Sequence, residues 1–231
     1  MRAIMKAFKK AVALDSKVHK ELRVKMPVDF SFMKEVEIVP LTYSEILTAT
    51  MYYPVMFGLQ DNAVFPFAVI GINNRNVFLR DDGTWKVDAI PNVCKHYPFG
   101  IVKEGEDYTI IFDEAFSDEE GFKLFEEEGD SEFFAKVKAR LTELARDFYD
   151  AEEFSKEIFN IGLLKPLNLD IETKLGKMQF RNLLMANLEV LSNVQPEKLY
   201  SLNSKGYLLI IHAHYLSLRN FKIFDIFAEA Q

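Results

Sequence analysis

The 231-residue sequence has a single cysteine, Cys94, and no apolar run close to the length that crosses a bilayer. One cysteine excludes an intrachain disulfide and a zinc site made of several cysteines. The longest apolar runs, such as AVIGI and YLLII, fall far short of the roughly 18 residues that a spanning helix needs. The basic N-terminus is interrupted by lysines and lacks the apolar stretch of a secretory signal. We therefore expect a cytoplasmic location.

The sequence motifs of common catalytic sites are also missing. There is no glycine-rich dinucleotide fingerprint, phosphate-binding loop, nucleophile elbow or HExxH helix. Cys94 and His96 are two residues apart, but a nucleophile and its base are defined in space, with a third group that orients the base. The acidic run of residues 113–132 does not have the spacing of an EF-hand loop. We predict no catalytic residues, no metal and no cofactor, which favours a binding protein over an enzyme.

Positive charge is scarce outside the N-terminus. Residues 1–25 contain eight basic and two acidic residues, a net charge of +6, whereas the remaining chain has 20 basic and 33 acidic residues, a net charge of −13. An acidic body disfavours nucleic acid as a partner, because binding to phosphates requires a basic face. We interpret the chain as a basic N-terminal arm, residues 1–25, followed by one α+β domain, residues 26–231.

The basic arm has two possible roles. If its first half is helical, Ile4, Phe8, Ala11 and Val12 share one face, and the arm is an amphipathic anchor or a partner-docking helix. The candidate contacts to a protein partner or to an anionic membrane surface are then the lysines Lys6, Lys9, Lys10 and Lys17. The alternative is an arm that folds back on its own acidic body.

The apolar pattern predicts a mostly antiparallel sheet in the N-terminal half and helices concentrated in the C-terminal half. Strands are expected at 35–39 and 108–112, and a hairpin is expected from 65–72 and 76–79. The TYSE sequence at 42–45 is a capping box, so a short helix should start there and reach about Tyr52.

A 3.6-residue period begins after Ser131. It predicts one long helix that reaches Ile161 and is ended by Gly162 and Pro166. A further strand within 177–184 and a helix over 196–205 should follow, the helix starting at Pro196 and stopping at Gly206.

Two histidines lie in the apolar segment GYLLIIHAHYLSL, residues 206–218. On a strand His212 and His214 would share a face and could chelate a metal, but on a helix they would be about 200° apart. The apolar pattern after Gly206 continues for more than twenty residues, too long for one strand, and predicts a terminal helix. Each histidine is then interpreted as a residue at the edge of the core with a hydrogen-bond partner.

A ligand site assembled from distant parts of the chain remains an alternative to these structural roles. Its candidate residues are His96, Tyr97, Phe99 and His214, with a carboxylate from residues 113–120. Such a site would require a deep pocket that joins these side chains.

Short motifs along most of the chain resemble those of SapC family proteins. In the first quarter they are His19, LRV at 22–24, DFSF at 29–32, VPL at 39–41, Glu45 and YPVMF at 53–57. Later ones are HYPFG at 96–100, KLFEEEGDSEFF at 123–134, GLLKPLNLDI at 162–171 and IIHAHYLSL at 210–218. His214 matches the family's pattern, whereas His212 stands where a tyrosine is more usual and His96 replaces the usual arginine. The resemblance covers about residues 12–224.

The resemblance implies an accessory role in making or exporting bacterial surface proteins, because the family takes its name from a surface-array (S-layer) locus. Members are often labelled peptide-transporter permeases, a role at odds with a chain that lacks a spanning run. No catalytic residues are implied.

Three hypotheses follow from the residues and the resemblance together. The first is a non-enzymatic cytoplasmic accessory protein that binds another protein. The second is an enzyme or small-ligand binder with a site around His96 and His214. The third is a peripheral membrane or assembly module that uses the basic arm.

Overall fold

The computed structural model describes residues 7–60, 63–104 and 107–229, which form an α+β fold with antiparallel strand pairing. The strands are β1 (Ala11–Ala13), β2 (Arg23–Val24), β3 (Ile38–Pro40), β4 (Val55–Gln60), β5 (Ala63–Val69), β6 (Gly71–Ile72), β7 (Arg75–Asn76), β8 (Phe99–Glu104), β9 (Asp107–Asp113), β10 (Phe122–Lys123), β11 (Phe125–Glu126), β12 (Gly129–Asp130), β13 (Leu164–Thr173) and β14 (Gly176–Ala186). The helices are α1 (Ile46–Ala49), α2 (Glu132–Asn160), α3 (Leu188–Leu191), α4 (Pro196–Ser204), α5 (Tyr207–Ser217) and α6 (Lys222–Glu229). The predicted fold class is confirmed.

Two sheets organise the packing, and helix α2 joins them. The larger sheet has the strand order β13-β14-β4-β5-β3, and the smaller has the order β1-β9-β8. The first half of α2 buries Phe134, Leu141 and Leu144 in the core of the smaller sheet. Its last turns bury Phe154 and Ile158 in the core of the larger sheet. Burial of such side chains stabilises by roughly 1.5–3 kcal/mol each, so this one helix supports both cores.

The ends of α2 follow from local sequence. The side chain of Ser131 accepts a hydrogen bond from the Phe134 N–H at 3.1 Å, which caps the first turn. Gly162, with φ of +76°, takes the left-handed conformation that ends many helices. The prediction of one long helix from Ser131 to about Ile161 is confirmed.

The described part of the basic arm is bound to the body through Asp113, a buried residue at the end of β9. Its carboxylate accepts hydrogen bonds from the backbone N–H groups of Lys9 at 2.7 Å and Lys10 at 2.9 Å, and from the hydroxyl of Tyr97. Burial raises the pKa of Asp113, but these hydrogen bonds outweigh it and hold the pKa below its usual value. Strand β1 then pairs with β9, and β2 pairs with β10. The domain division at residue 25 stays a prediction.

The amphipathic helix considered for the first half of the arm is wrong for its described part, since Ala11 and Val12 lie in strand β1. Ile4, another residue of that hypothesis, lies outside the described residues. The arm N–H groups bond to Asp113 and β9, so they are not available for bonds within a helix.

Two predictions for the first half of the sheet are corrected. Residues 65–72 and 76–79 do not form one hairpin, because β5 pairs with β4 and only β6 turns back onto β7. The tight turn uses Asn73 and Asn74, whose φ values of 54° and 57° suit a two-residue hairpin turn. The strand expected at 35–39 begins later, at Ile38.

The capping box at Thr42 and Glu45 is present, but the helix that follows is shorter than predicted. A 3₁₀ turn over residues 43–45 leads into α1, which ends at Ala49 rather than near Tyr52.

Pro166 does not simply end the long helix, because it lies inside strand β13. Pairing from Leu164 to Thr173 with β14 makes β13 an edge strand of the larger sheet. Proline is tolerated there because an edge strand leaves some N–H positions without a partner.

Replacing Asp113 with alanine is expected to lower the free energy of unfolding by about 2–4 kcal/mol, because it removes the acceptor of Tyr97 and of two arm N–H groups. Tyr97→Phe is the milder control and should cost about 1 kcal/mol, since the backbone bonds to the carboxylate remain. Urea denaturation measures both values. Hydrogen exchange at residues 9–14 should rise most in Asp113→Ala, and an unchanged exchange pattern there would contradict the anchoring role.

Candidate protein-binding surface on helix α5

Helix α5 is apolar on all sides. It starts directly after Gly206, whose φ of +74° ends α4 and turns the chain. Residues 207–218 contain no aspartate, glutamate, lysine or arginine. A globular protein normally buries a helix of this kind completely, whereas a helix at the surface has one polar face. The terminal helix predicted from the apolar pattern is confirmed.

One face of α5 packs on the larger sheet and centres on His214, which is completely buried. Its Nδ1 lies 2.9 Å from the Val55 carbonyl oxygen, and its Nε2 accepts a hydrogen bond from the Ala186 N–H at 3.1 Å. The Phe57 ring meets the imidazole edge to face at 4.8 Å. The hydroxyl of Ser217 accepts the Val55 N–H at 3.1 Å.

The hydrogen bonds of His214 fix its ionisation state. Because Nε2 accepts a hydrogen bond, the ring is neutral and its proton is on Nδ1, which donates to Val55. Burial lowers the pKa of His214 to about 4, although the hydrogen bond to the Val55 carbonyl raises it. His214 has the hydrogen-bond partners expected of it, but it lies inside the core rather than at its edge, whereas His212 is exposed.

The opposite side of α5 has no covering element among the described residues. We call it the α5 face and define it by Leu209, His212, Tyr215 and Leu216, of which the two leucines are each 59% exposed and Tyr215 is 43% exposed. With about 100° per residue, these positions lie together, about 100–160° around the helix from His214. His212 is therefore separated from His214 and does not share a ligand with it.

Elements next to α5 also expose apolar side chains, and charged residues follow its C-terminal end. Helices α1 and α4 contact α5, and Met51, just after α1, and Tyr200 of α4 are 68% and 75% exposed. Exposed Arg219 and Lys222 follow the C-terminal end of α5.

The N-terminal end of α5 has charges of both signs nearby. Burial raises the pKa of Tyr207, and so do nearby carboxylates of α2, namely Glu157, Asp150 and Glu153. The Glu157 carboxylate is neutralised locally, since it pairs with Lys205 at 2.6 Å and Lys198 at 2.9 Å. Asp150 and Glu153 are exposed.

The other predicted ligand residues lie in different surroundings from His214. His96 is half-buried, its Nδ1 is 2.7 Å from the Asn92 carbonyl oxygen, and burial lowers its pKa. Tyr97 and Phe99 line an apolar cavity of only about 20 Å³, too small for more than a single water. The structure therefore joins Tyr97 and Phe99 with each other, but it does not place His96 beside His214.

The predicted contact lysines of the arm are exposed where they are described. The ammonium of Lys10 pairs with Glu114, and Lys9 contributes its backbone N–H to Asp113. The backbone N–H of Lys17 donates to the Asp15 carboxylate at 2.7 Å, and Lys17 is exposed. Lys6 lies outside the described residues.

A polar cleft of about 250 Å³ beside α1 was not predicted as a site. Glu45 forms part of its wall, with Oε1 accepting the Thr42 N–H at 2.8 Å and Oε2 the Asn92 N–H at 2.6 Å. Burial raises the pKa of Glu45, while these hydrogen bonds lower it. Because both carboxylate oxygens accept hydrogen bonds from backbone N–H groups, the Glu45 side chain connects the start of α1 to the segment at Asn92. The described residues contain no group of three or more potential ligands arranged for a metal ion.

The fold and this surface define an α+β protein in which one side of an apolar helix is exposed. The family model described as SapC matches residues 14–223, and the chain belongs to the SapC family. A search of curated proteins and a search of solved structures each found no match. Across residues 7–60, 63–104 and 107–229, no helix is both long enough and apolar enough to cross a membrane.

Acid is expected to destabilise the protein through His214. Its folded-state pKa of about 4 lies below the ordinary 6.5, so the unfolded chain takes up a proton first. The stabilising contribution is complete above pH 6.5 and is lost as the pH falls towards 4, by about 3 kcal/mol in total.

Two variants separate the contribution of His214 to the pH dependence of stability from those of the carboxylates and the other histidines. His214→Ala should lower the free energy of unfolding at pH 7 by about 3 kcal/mol and flatten its slope between pH 4 and 6.5. The matched control His212→Ala changes an exposed residue of the same helix and should stay within about 0.5 kcal/mol. Denaturant titrations at several pH values measure both, and equal pH slopes in His214→Ala and the unmodified protein would refute the assignment.

Proposed function

We propose that this SapC family protein is a non-enzymatic, cytoplasmic accessory protein that serves surface-layer protein production or export by binding a protein partner at the α5 face. The observation that carries the proposal is a rigid helix whose outer side exposes two leucines and a tyrosine without any charge. Contiguous exposed apolar surface of this kind usually marks an interaction site.

The rigidity of α5 supports binding. His214 and Ser217 hold the helix to Val55, and the tether is buried, so the α5 face is pre-organised. Pre-organised surfaces lose less conformational entropy on association. The partner that fits has an apolar contact patch, with acidic residues opposite Arg219 and Lys222.

Binding is favoured over catalysis by what the candidate polar groups do. The imidazole of His214 bonds to backbone through both nitrogens, and the Tyr97 hydroxyl and Asp113 carboxylate bond to each other and to the arm. The cavity that Tyr97 lines is about 20 Å³, too small for a substrate. The basic arm as a membrane contact remains the alternative.

The double substitution L209S/L216S tests the proposal, because both side chains are exposed and their loss should leave folding intact. A partner is first captured from native lysate, then purified and titrated against each variant by calorimetry. L209S/L216S should weaken binding at least about tenfold, which corresponds to 1.4 kcal/mol.

The matched control is V18S/V28S, which removes two other exposed apolar side chains, 74% and 95% exposed, and should bind as the unmodified protein does. Equal affinity of the α5 variant and the unmodified protein for every purified partner would show that the α5 face is not the binding site.

A further inference from the structure

We propose that the polar cleft beside α1 is a second binding site, which takes a small zwitterion such as a free α-amino acid. The cleft has a volume of about 250 Å³ and lies between residues 41–53 and residues 88–95. The residues that line it come from these two segments and not from α5, so the inference goes beyond the proposed function and does not depend on it.

The buried part of the cleft is held in place by hydrogen bonds within the protein. The Glu45 carboxylate accepts the backbone N–H groups of Thr42 and Asn92, and the Asn92 side-chain amide donates to the Thr42 hydroxyl at 3.0 Å. The hydroxyl of buried Tyr53 donates to the Ala89 carbonyl oxygen at 2.5 Å. These bonds connect the two walls of the cleft, so its shape is set before a ligand binds.

The exposed part of the lining has one negative and one positive group that are not used in ion pairs. Asp88 and Lys95 are both exposed, and among the described residues neither forms a salt bridge, with the other or with any further side chain. The Lys95 ammonium donates to the Asn92 side-chain oxygen at 3.0 Å, which uses one of its three N–H groups and orients it. Exposed Thr48 adds a hydroxyl on the opposite wall.

Two further carboxylates lie at or beside the cleft, and the protein itself uses both. Glu45 accepts backbone hydrogen bonds with each of its oxygens. Burial raises the pKa of Glu45, while these bonds and the nearby Lys95 ammonium lower it. Asp147 of α2 accepts the backbone N–H of Ser44 at 2.9 Å and the hydroxyl of the same residue. Asp88 is therefore the carboxylate of the lining that is left to contact a ligand.

This pair of groups matches the charges of a free amino acid. The ligand's ammonium would donate to Asp88, and its carboxylate would accept from Lys95, so both contacts are charge-assisted hydrogen bonds. A ligand with a single charge would be attracted by one of the two groups and repelled by the other. Leu41, Ala49 and Pro91 supply apolar lining for the ligand's carbon atoms. Pockets for drug-sized ligands have roughly 300–1,000 Å³, so the smaller cleft favours a compact ligand.

Calorimetric titration of the full chain with each of the standard L-α-amino acids tests the proposal, and at least one of them should bind saturably. Lys95→Met and Asp88→Asn should each weaken the binding of that amino acid at least about tenfold, because each removes a charge-assisted hydrogen bond. The matched controls Lys177→Met and Asp170→Asn change exposed residues of β14 and β13 outside the cleft and should bind as the unmodified protein does. Circular dichroism confirms that all four variants fold.

Two analogues of the bound amino acid test which of its charges are recognised. The amine that lacks the carboxylate and the acid that lacks the amino group should each bind at least about tenfold more weakly than the amino acid itself.

The outcomes that overturn the inference are distinct. No saturable binding of any standard amino acid, or binding that both cleft variants leave unchanged, shows that the cleft is not the site. If only one variant weakens binding, or if one analogue binds as tightly as the amino acid, a single charge holds the ligand and the zwitterion is wrong. None of these results affects the proposed function, because L209S/L216S tests the α5 face separately.

Discussion

The imidazole of His214 fills a gap in the hydrogen bonding of the larger sheet, and the placement of the C-terminal helices depends on it. Strands β14 and β4 pair at Leu183 with Gly58 and at Leu184 with Phe57, and the same register would bring Ala186 opposite Val55. The ring lies between these last two residues and bonds to the N–H of one and the C=O of the other. A side chain of α5 thus completes a ladder that the strands leave open, which satisfies two buried backbone groups at once.

This arrangement also decides which side of α5 faces outward. A helix that inserts a polar ring between two strands cannot rotate about its axis without leaving the Ala186 N–H and the Val55 C=O unsatisfied. Leu209 and Leu216 are therefore held at the surface, although their own hydrophobicity would favour burial. The free-energy cost of exposing the two leucines is offset by the buried hydrogen bonds of His214, which form in only one orientation of α5.

Sequence patterns predicted the parts of this fold in which local signals and packing agree. The long helix after Ser131 has a regular apolar stripe with a cap at each end, and the helical state of residues 207–217 followed from the length of the apolar run. The sequence pattern did not predict strand β13, because Pro166 is typical of a break, although Leu167, Leu169 and Ile171 alternate with polar residues beyond it. This alternation of apolar and polar residues is the pattern from which the strand could have been predicted.

The α5 face and the role of Asp113 in holding the N-terminal arm could not be predicted from the sequence, for physical reasons. Asp113 is one carboxylate in a crowded acidic segment, and only the distant Tyr97 and Lys9 distinguish it from its neighbours. The α5 face is the side of this uncharged helix that remains exposed. Because apolar residues occur all around the helix, the periodicity of the sequence does not indicate which side that is. His214 was recognised as a residue with a polar partner, but its two backbone partners lie 28 and 159 positions away in the chain.

The edge strand β13 has features that oppose pairing with the sheet edge of another molecule. Ten residues of unprotected strand would offer a template on which other chains could polymerise. The exposed positions of that strand include Asp170 and Glu172, and Arg181 of β14 pairs with Asp170 at 2.6 Å. Pro166 removes one backbone N–H from the strand. These features discourage association without limit along the edge of the larger sheet.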